Sequence, residues 1–271
     1  MVIDFHTHIF PDRIAERTIS LLEEKSGLAA ATDGTPRGLL HSMEQAGINL
    51  SVVLPVATKP SQFESIRMYA GSVNVQYPGK LLSFGGIHPD CADYKKEIDT
   101  ICEMGLPGIK IHPDYQGVMI DDGRYINIIR YADEQGLIIL THAGIDIGKP
   151  EPVHCPPDKM RKVLDEVKPK KMVVAHFGGW KQWDEVYEYL AGTDVWLDTA
   201  FIYDYIGEEQ FLKIYEKHDK NKILFATDSP WSDATKAVAW IKSLGLPEEE
   251  TENILAGNAK RLLGILGGDY K

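Results

Sequence analysis

Val2-Ile3-Asp4-Phe5-His6-Thr7-His8 opens the chain, an apolar run ending in two imidazoles one residue apart. In an extended strand alternate side chains share a face, so His6 and His8 point the same way, a few ångströms apart. That spacing makes a ready pair of metal donors, although a surface His-x-His also arises at strand ends by chance. What the rest of the chain brings to the same place decides between the two.

Outward from this strand, apolar runs recur at 50–56, 81–87, 108–111, 137–140, 172–175, 195–197 and 223–226. Helical patterns lie between them at 62–75, 94–104, 125–135, 159–167, 183–190 and 210–218. Continuous apolar strands alternating with helices mean a parallel sheet covered on both faces. Eight runs favour a closed (β/α)8 TIM barrel of the α/β class over an open doubly wound sheet. No glycine-rich fingerprint follows the first strand, which argues against dinucleotide binding.

The segment 9–49 is an insertion after the first strand. Pro11-Asp12-Arg13 opens a helix carrying Ile14, Thr18, Leu21 and Leu22 at helical spacing, and a second helix over 39–46 stops at Gly47. It is large enough to form a flap over what the first strand presents. Segments 240–244 and 250–266 read as outer helices, and Gly267-Gly268-Asp269-Tyr270-Lys271 as a frayed tail. With no linker or low-complexity tract, 1–271 reads as one domain.

Lys and Arg total 29 against 40 Asp and Glu, a formal charge of −11 that argues against nucleic acid as partner. Cys91, Cys102 and Cys155 are odd in number and widely spaced, which fits a reducing cytoplasm better than a disulfide framework. The first residues lack a basic n-region and an apolar h-region, and no stretch reaches membrane-spanning length. The expectation is a cytoplasmic protein with no membrane partner, acting on a small molecule.

Polar residues cluster where the apolar runs end: His6 and His8, His88, Lys110 and His112, His142, His176, and Asp228. In a parallel barrel these ends open onto one mouth, where such folds carry their chemistry. Several histidines converging with one carboxylate point to a metal site, and the donor types suit zinc but equally iron, manganese or cobalt. A coordinated water becomes acidic enough to attack a carbonyl carbon near neutral pH.

His6-Thr7-His8, Gly108-Ile109-Lys110-Ile111-His112-Pro113, Thr141-His142, Ala175-His176, Thr227-Asp228-Ser229-Pro230 and Gly257-Asn258-Ala259-Lys260-Arg261-Leu262-Leu263 appear in that order. Together they resemble the amidohydrolase superfamily, and within it the amidohydrolase-2 branch that includes aminocarboxymuconate-semialdehyde decarboxylase-like enzymes. The resemblance implies a distorted barrel with a divalent metal, zinc foremost, held by His6, His8, His142 and Asp228. It implies that Asp228 moves the proton of the attacking water and that His176 acts on substrate or water, or binds a second metal. One ion is expected rather than two, and the branch implies a homodimer.

Lys110 is either carboxylated to bridge two metals, a cation that grips substrate, or a buried partner of an acidic group. A substrate or structural role is the preferred reading, and His112, on the same face, joins it as a substrate-binding candidate. His88 reads as structural, and Cys155, in a proline-rich loop over 143–157, as incidental. Trp180, Phe201, Tyr203, Tyr205 and Trp231 follow strand ends and either line a pocket or merely pack there.

The first functional expectation is a metal-dependent hydrolase of an amide, lactone or related carbonyl bond. The alternative is a metal-dependent decarboxylase of a small unsaturated or aromatic acid. A nuclease or phosphoesterase fits less well, because the deoxyribonuclease-like branch carries a glutamate where this chain has Lys110. A binding scaffold without turnover is disfavoured by the retained Asp228.

Overall fold

The structure, a computed structural model, describes residues 1–265. In chain order it begins with β1 (Ile3–Thr7), α1 (Asp12–Ser26), α2 (Pro36–Ala46), β2 (Leu50–Val53), α3 (Phe63–Gln76), β3 (Leu81–Ser83) and β4 (Gly85–Gly86). Next come α4 (Tyr94–Glu103), β5 (Gly108–Ile111), α5 (Pro113–Gln116), α6 (Gly123–Glu134), β6 (Ile138–Thr141), α7 (Pro157–Val167), β7 (Met172–Val174) and α8 (Trp183–Tyr189). The chain continues through β8 (Trp196–Asp198), α9 (Glu208–Lys217), β9 (Ile223–Leu224), α10 (Ala234–Ser243), α11 (Glu248–Glu252) and α12 (Asn258–Leu263).

All strands pair in parallel, β1 to β3 in one sheet and β4 to β9 in another. Only Phe84 separates β3 from β4, and its backbone N–H still donates to Val53 O at 2.9 Å, so the two are one interrupted strand. At the other seam Phe5 N–H donates to Phe225 O at 2.9 Å, Asp228 N–H to His6 O at 2.8 Å and His8 N–H to Ser229 O at 2.6 Å. These bonds join the first strand to the segment after the last. The result is the expected ring of eight parallel strands.

Side chains alternate around this ring as the pleat requires. Leu50, Val52, Leu82, Phe84, Ile138, Leu140, Val173, Trp196 and Leu224 form one buried cluster inside the barrel, while Ile109, Ile111, Ile139, Val174, Leu197 and Ile223 pack outward with the helices. Ile3 and Phe5 belong to the inner set, so strict alternation would turn His6 away from the interior. A register irregularity between Asp4 and Thr7 re-aims the strand, and His6 points inward.

Gly108 is a place of close approach in the wall. A Cβ there would press into the Ile138 carbonyl oxygen and the Phe84 ring.

Two expectations change at the C-terminus. The segment read as an outer helix over 250–266 is α11, a π-helical turn at Asn253–Gly257, and α12, and its Ala256, Ala259 and Leu262 join the inner cluster. The segment therefore plugs the barrel from below. Asn258 fastens it by donating to Ile223 O at 2.6 Å and Lys220 O at 2.9 Å. The helix expected at 240–244 starts earlier, because Asp233 caps it by accepting from Thr235 N and Lys236 N. The tail expected at 267–271, and the end of the helix read to 266, lie outside the described residues.

Candidate metal centre

Where β1 and the segment after β9 meet, His6 Nε2 lies 3.1 Å from His8 Nε2, and Asp228 Oδ1 lies 3.3 and 3.2 Å from the two nitrogens. The tautomers follow from the outer partners. His8 Nδ1–H donates to Leu54 O at 2.7 Å, and His6 Nδ1–H donates to Asp198 Oδ2 at 2.9 Å. Two bare Nε2 lone pairs and a carboxylate oxygen therefore face one another. Such donors repel unless positive charge lies among them.

Lys110 supplies part of that charge, its Nζ donating to His6 Nε2 at 3.1 Å. A divalent cation supplies the rest, since donors about 2.0–2.2 Å from one ion stand roughly 3.0–3.5 Å apart, the spacing of this trio. The residues present thus fit a metal. Asp198 completes the support in the manner of a carboxylate–histidine–metal triad, its Oδ1 accepting from His176 N at 2.9 Å and Ala200 N at 3.1 Å.

Charge states agree with this reading. Burial holds the His6 imidazole well below its ordinary range, with Lys110 adding to the effect, so the ring is neutral. Burial pushes the Asp228 carboxyl up, but His6, His8 and His176 outweigh it and hold it at about 2. Asp228 and His176 both sit at left-handed backbone angles, φ 64° and 59°, a strain that tends to collect at functional sites.

His142 stands one imidazole away from the trio. His176 Nδ1–H donates to Ala200 O at 2.9 Å, leaving its Nε2 to accept from His142 Nδ1–H at 3.0 Å. His142 Nε2 is then bare, buried and without a hydrogen-bond partner among the described residues, 3.7 Å from Asp114 Oδ2 and 3.9 Å from Asp146 Oδ2. His112 stacks on His142 with ring centres 4.2 Å apart, and its Nε2 lies 3.6 Å from Asp146 Oδ2. His112, His142 and Asp146 form a second group of convergent donors. Burial keeps both imidazoles neutral.

Lys110 is 1 % exposed, and among the described residues no carboxylate comes within 4 Å of its amine. Burial draws its pKa down to about 8 against the opposing pull of Asp228, Asp198 and Asp146. Gln116 positions the neighbouring loop, donating to Ala57 O at 2.8 Å and Ile87 O at 2.7 Å and accepting from His112 N at 2.9 Å.

His6, His8, Lys110, His112, His142, Asp146, His176 and Asp228 open into a cavity of about 600 Å³. Helix α1, from the insertion, lines it with Ile14, Thr18 and Leu22, and the loop after β6 contributes Ile145, Asp146 and Ile147. Trp180, Phe201 and Trp231 line it too, whereas Tyr203 and Tyr205 line a smaller neighbouring hollow. His88 is buried away from this cavity, its Nδ1 accepting from Asp90 N at 3.1 Å. Cys155 is fully buried, which pushes its thiol up and leaves it inert.

Sequence reasoning missed Asp198, Asp114 and Asp146. Asp198 ends β8 and obeys the same strand-end rule that marked the histidines, so reading that run one residue further would have found it. Asp114, in α5, and Asp146, in the loop after β6, sit beyond strand ends, and nothing local in sequence shows that they meet.

No curated protein sequence matches the chain. Its fold is similar to that of an uncharacterized TIM-barrel protein from Bordetella bronchiseptica, with TM-score 0.76 and 19% identity over 97% of this chain and 98% of that one. It is also similar to the dihydroxybenzoic acid decarboxylase of Polaromonas, solved with bound manganese and the inhibitor 2-nitroresorcinol, with TM-score 0.74 and 13% identity over 99% and 98%. The 5-carboxyvanillate decarboxylase of Sphingomonas paucimobilis gives TM-score 0.68 and 14% identity over 97% and 99%. Residues 3–265, nearly the whole chain, match the family described as Amidohydrolase, its second branch. The barrel, the order of its strand-end motifs and this match together establish that the chain belongs to the amidohydrolase family.

Proposed function

We propose that the chain is a metal-dependent hydrolase cleaving an amide, lactone or related carbonyl bond of a small molecule. The convergence of His6 Nε2, His8 Nε2 and Asp228 Oδ1 within 3.3 Å at the barrel mouth carries this reading. When bound, a divalent cation, zinc by our assignment with manganese, iron or cobalt as alternatives, polarises a carbonyl and acidifies water. His6, His8 and Asp228 would hold a single ion, and His142, the fourth ligand that the resemblance implies, would join them only by turning away from His176 Nε2, to which its Nδ1–H donates.

The remaining chemistry belongs to the side chains. Asp228 uses Oδ1 against the two imidazoles and keeps Oδ2 to accept the proton of the attacking water and pass it to the leaving group. His176, pinned through Nδ1 to Ala200 O, is held beside His6 with ring centres 5.4 Å apart, and its Nε2, which accepts from His142 Nδ1–H, is released to act on substrate or water when His142 turns away. Lys110 donates to a substrate oxygen, and His112 with Asp146 forms the wall against which substrate is placed.

Decarboxylation is the second reading, favoured by one observation: a buried amine with no carboxylate within 4 Å suits a substrate carboxylate. Product analysis in H₂¹⁸O over a panel of lactones, amides and aromatic acids separates the two. Hydrolysis incorporates ¹⁸O, and Asp228→Asn abolishes it. Carbon dioxide release with an organic product free of label would transfer the assignment to decarboxylation, and no turnover by metal-loaded protein on any of them would sink both.

A further inference from the structure

We propose that the substrate of this site carries an elongated, uncharged apolar tail that lies beneath α1 while its reacting group sits at His6, His8 and Asp228. This deepens the metal-dependent reading above and rests on it.

The observation is the division of the cavity. Its titratable side chains, His6, His8, Lys110, His142, Asp146 and Asp228 among them, gather at the strand ends. The side formed by α1 and α3 is mainly apolar, with Phe10, Ile14, Leu22, Leu28 and Ile66, its polar members such as Thr18, Gln62 and Ser65 are uncharged, and among the described residues lining it there is no carboxylate. Arg13, the one cation on that side, is solvent-exposed. A substrate tail with its own charge would meet no buried counter-ion here, and desolvation would disfavour it.

Helix α1 is built for two partners. Ala15 and Ile19 are buried in the fold, while Ile14, Thr18 and Leu22, spaced i, i+4 and i+8, form a second stripe toward the cavity. Ile14 is 38 % exposed, an apolar side chain that packing within the chain leaves uncovered. A bound tail covers it. Tyr69 Oη is buried and has no hydrogen-bond partner among the described residues, and it can serve one uncharged oxygen along that tail. The volume, about 600 Å³, lies in the middle of the roughly 300–1,000 Å³ that drug-sized ligands occupy, more than a single-ring acid needs.

Straight-chain hydroxamic acids test this on the zinc-loaded full chain, because the hydroxamate chelates metal and the tail length is free to vary. Calorimetric Kd values should tighten by about fourfold per methylene from acetohydroxamate toward octanohydroxamate. The monohydroxamate of adipic acid should bind at least tenfold more weakly than hexanohydroxamate. Leu22→Asp and, separately, the more exposed Ile14→Asp should each reduce the octano-to-aceto affinity ratio by tenfold or more; a ratio is insensitive to any common loss of metal. A flat series with acetohydroxamate still binding overturns the apolar tail and leaves the metal site standing. No binding by any member, with no zinc retained, overturns the metal reading and this inference with it.

Discussion

Lys110 Nζ and His6 Nε2 lie 3.1 Å apart inside the barrel, both side chains about 1 % exposed. A lone pair shared with a lysine is a lone pair available to a cation. Once His6 gives its Nε2 to the ion, the amine is freed toward the cavity. We expect Lys110→Met to keep one metal ion per chain by elemental analysis while kcat/KM falls by about 10²-fold or more, as when a transition-state donor is removed. A matched loss of metal would instead place Lys110 in the coordination sphere.

Asp198 orients His6 from behind and fixes the His176 backbone with its other oxygen. Asp198→Ala should weaken metal affinity by about 10- to 100-fold in competition with a calibrated chelator. Asp198→Asn, which can still accept from the His6 ring, should fall between the two.

Gly108 leaves no space for a side chain against Ile138 O and Phe84. Gly108→Ala should cost about 1–3 kcal/mol in denaturant unfolding. Gly123→Ala, in open space at the start of α6, is the matched control and should change stability little.

Glu97 is half-buried beside Cys91, and burial raises its carboxyl from 4.5 to about 6. Between these values the folded chain binds more protons than the unfolded one, so stability falls as pH rises through the window. The burden is absent below pH 4.5 and complete above about pH 6. Glu97→Gln should therefore stabilise at pH 7.5, by less than about 1 kcal/mol given its solvent access, and have little effect at pH 4. Urea midpoints at the two pH values measure the difference.

Much of this architecture is legible in the sequence because burial on both faces leaves continuous apolar runs, and each run's end is a position at the mouth. That logic located His6, His8, Lys110, His112, His142, His176 and Asp228. It does not encode ring orientation: His142 turns Nδ1 to His176 and Nε2 to two aspartates, one from α5 and one from the loop after β6. Nor does helical periodicity say which surface a helix covers. The Ala256, Ala259 and Leu262 stripe looks the same in sequence whether it packs outside the barrel or plugs it.

The seam between the first strand and the segment after the last carries a consequence for the order of events in synthesis. His6 and His8 emerge from the ribosome well before their third donor, Asp228, which is held by a backbone bond to His6 that forms only after some 220 further residues are made. Ion capture by the complete trio is thus a late step, and the bound metal reports that the ring has closed.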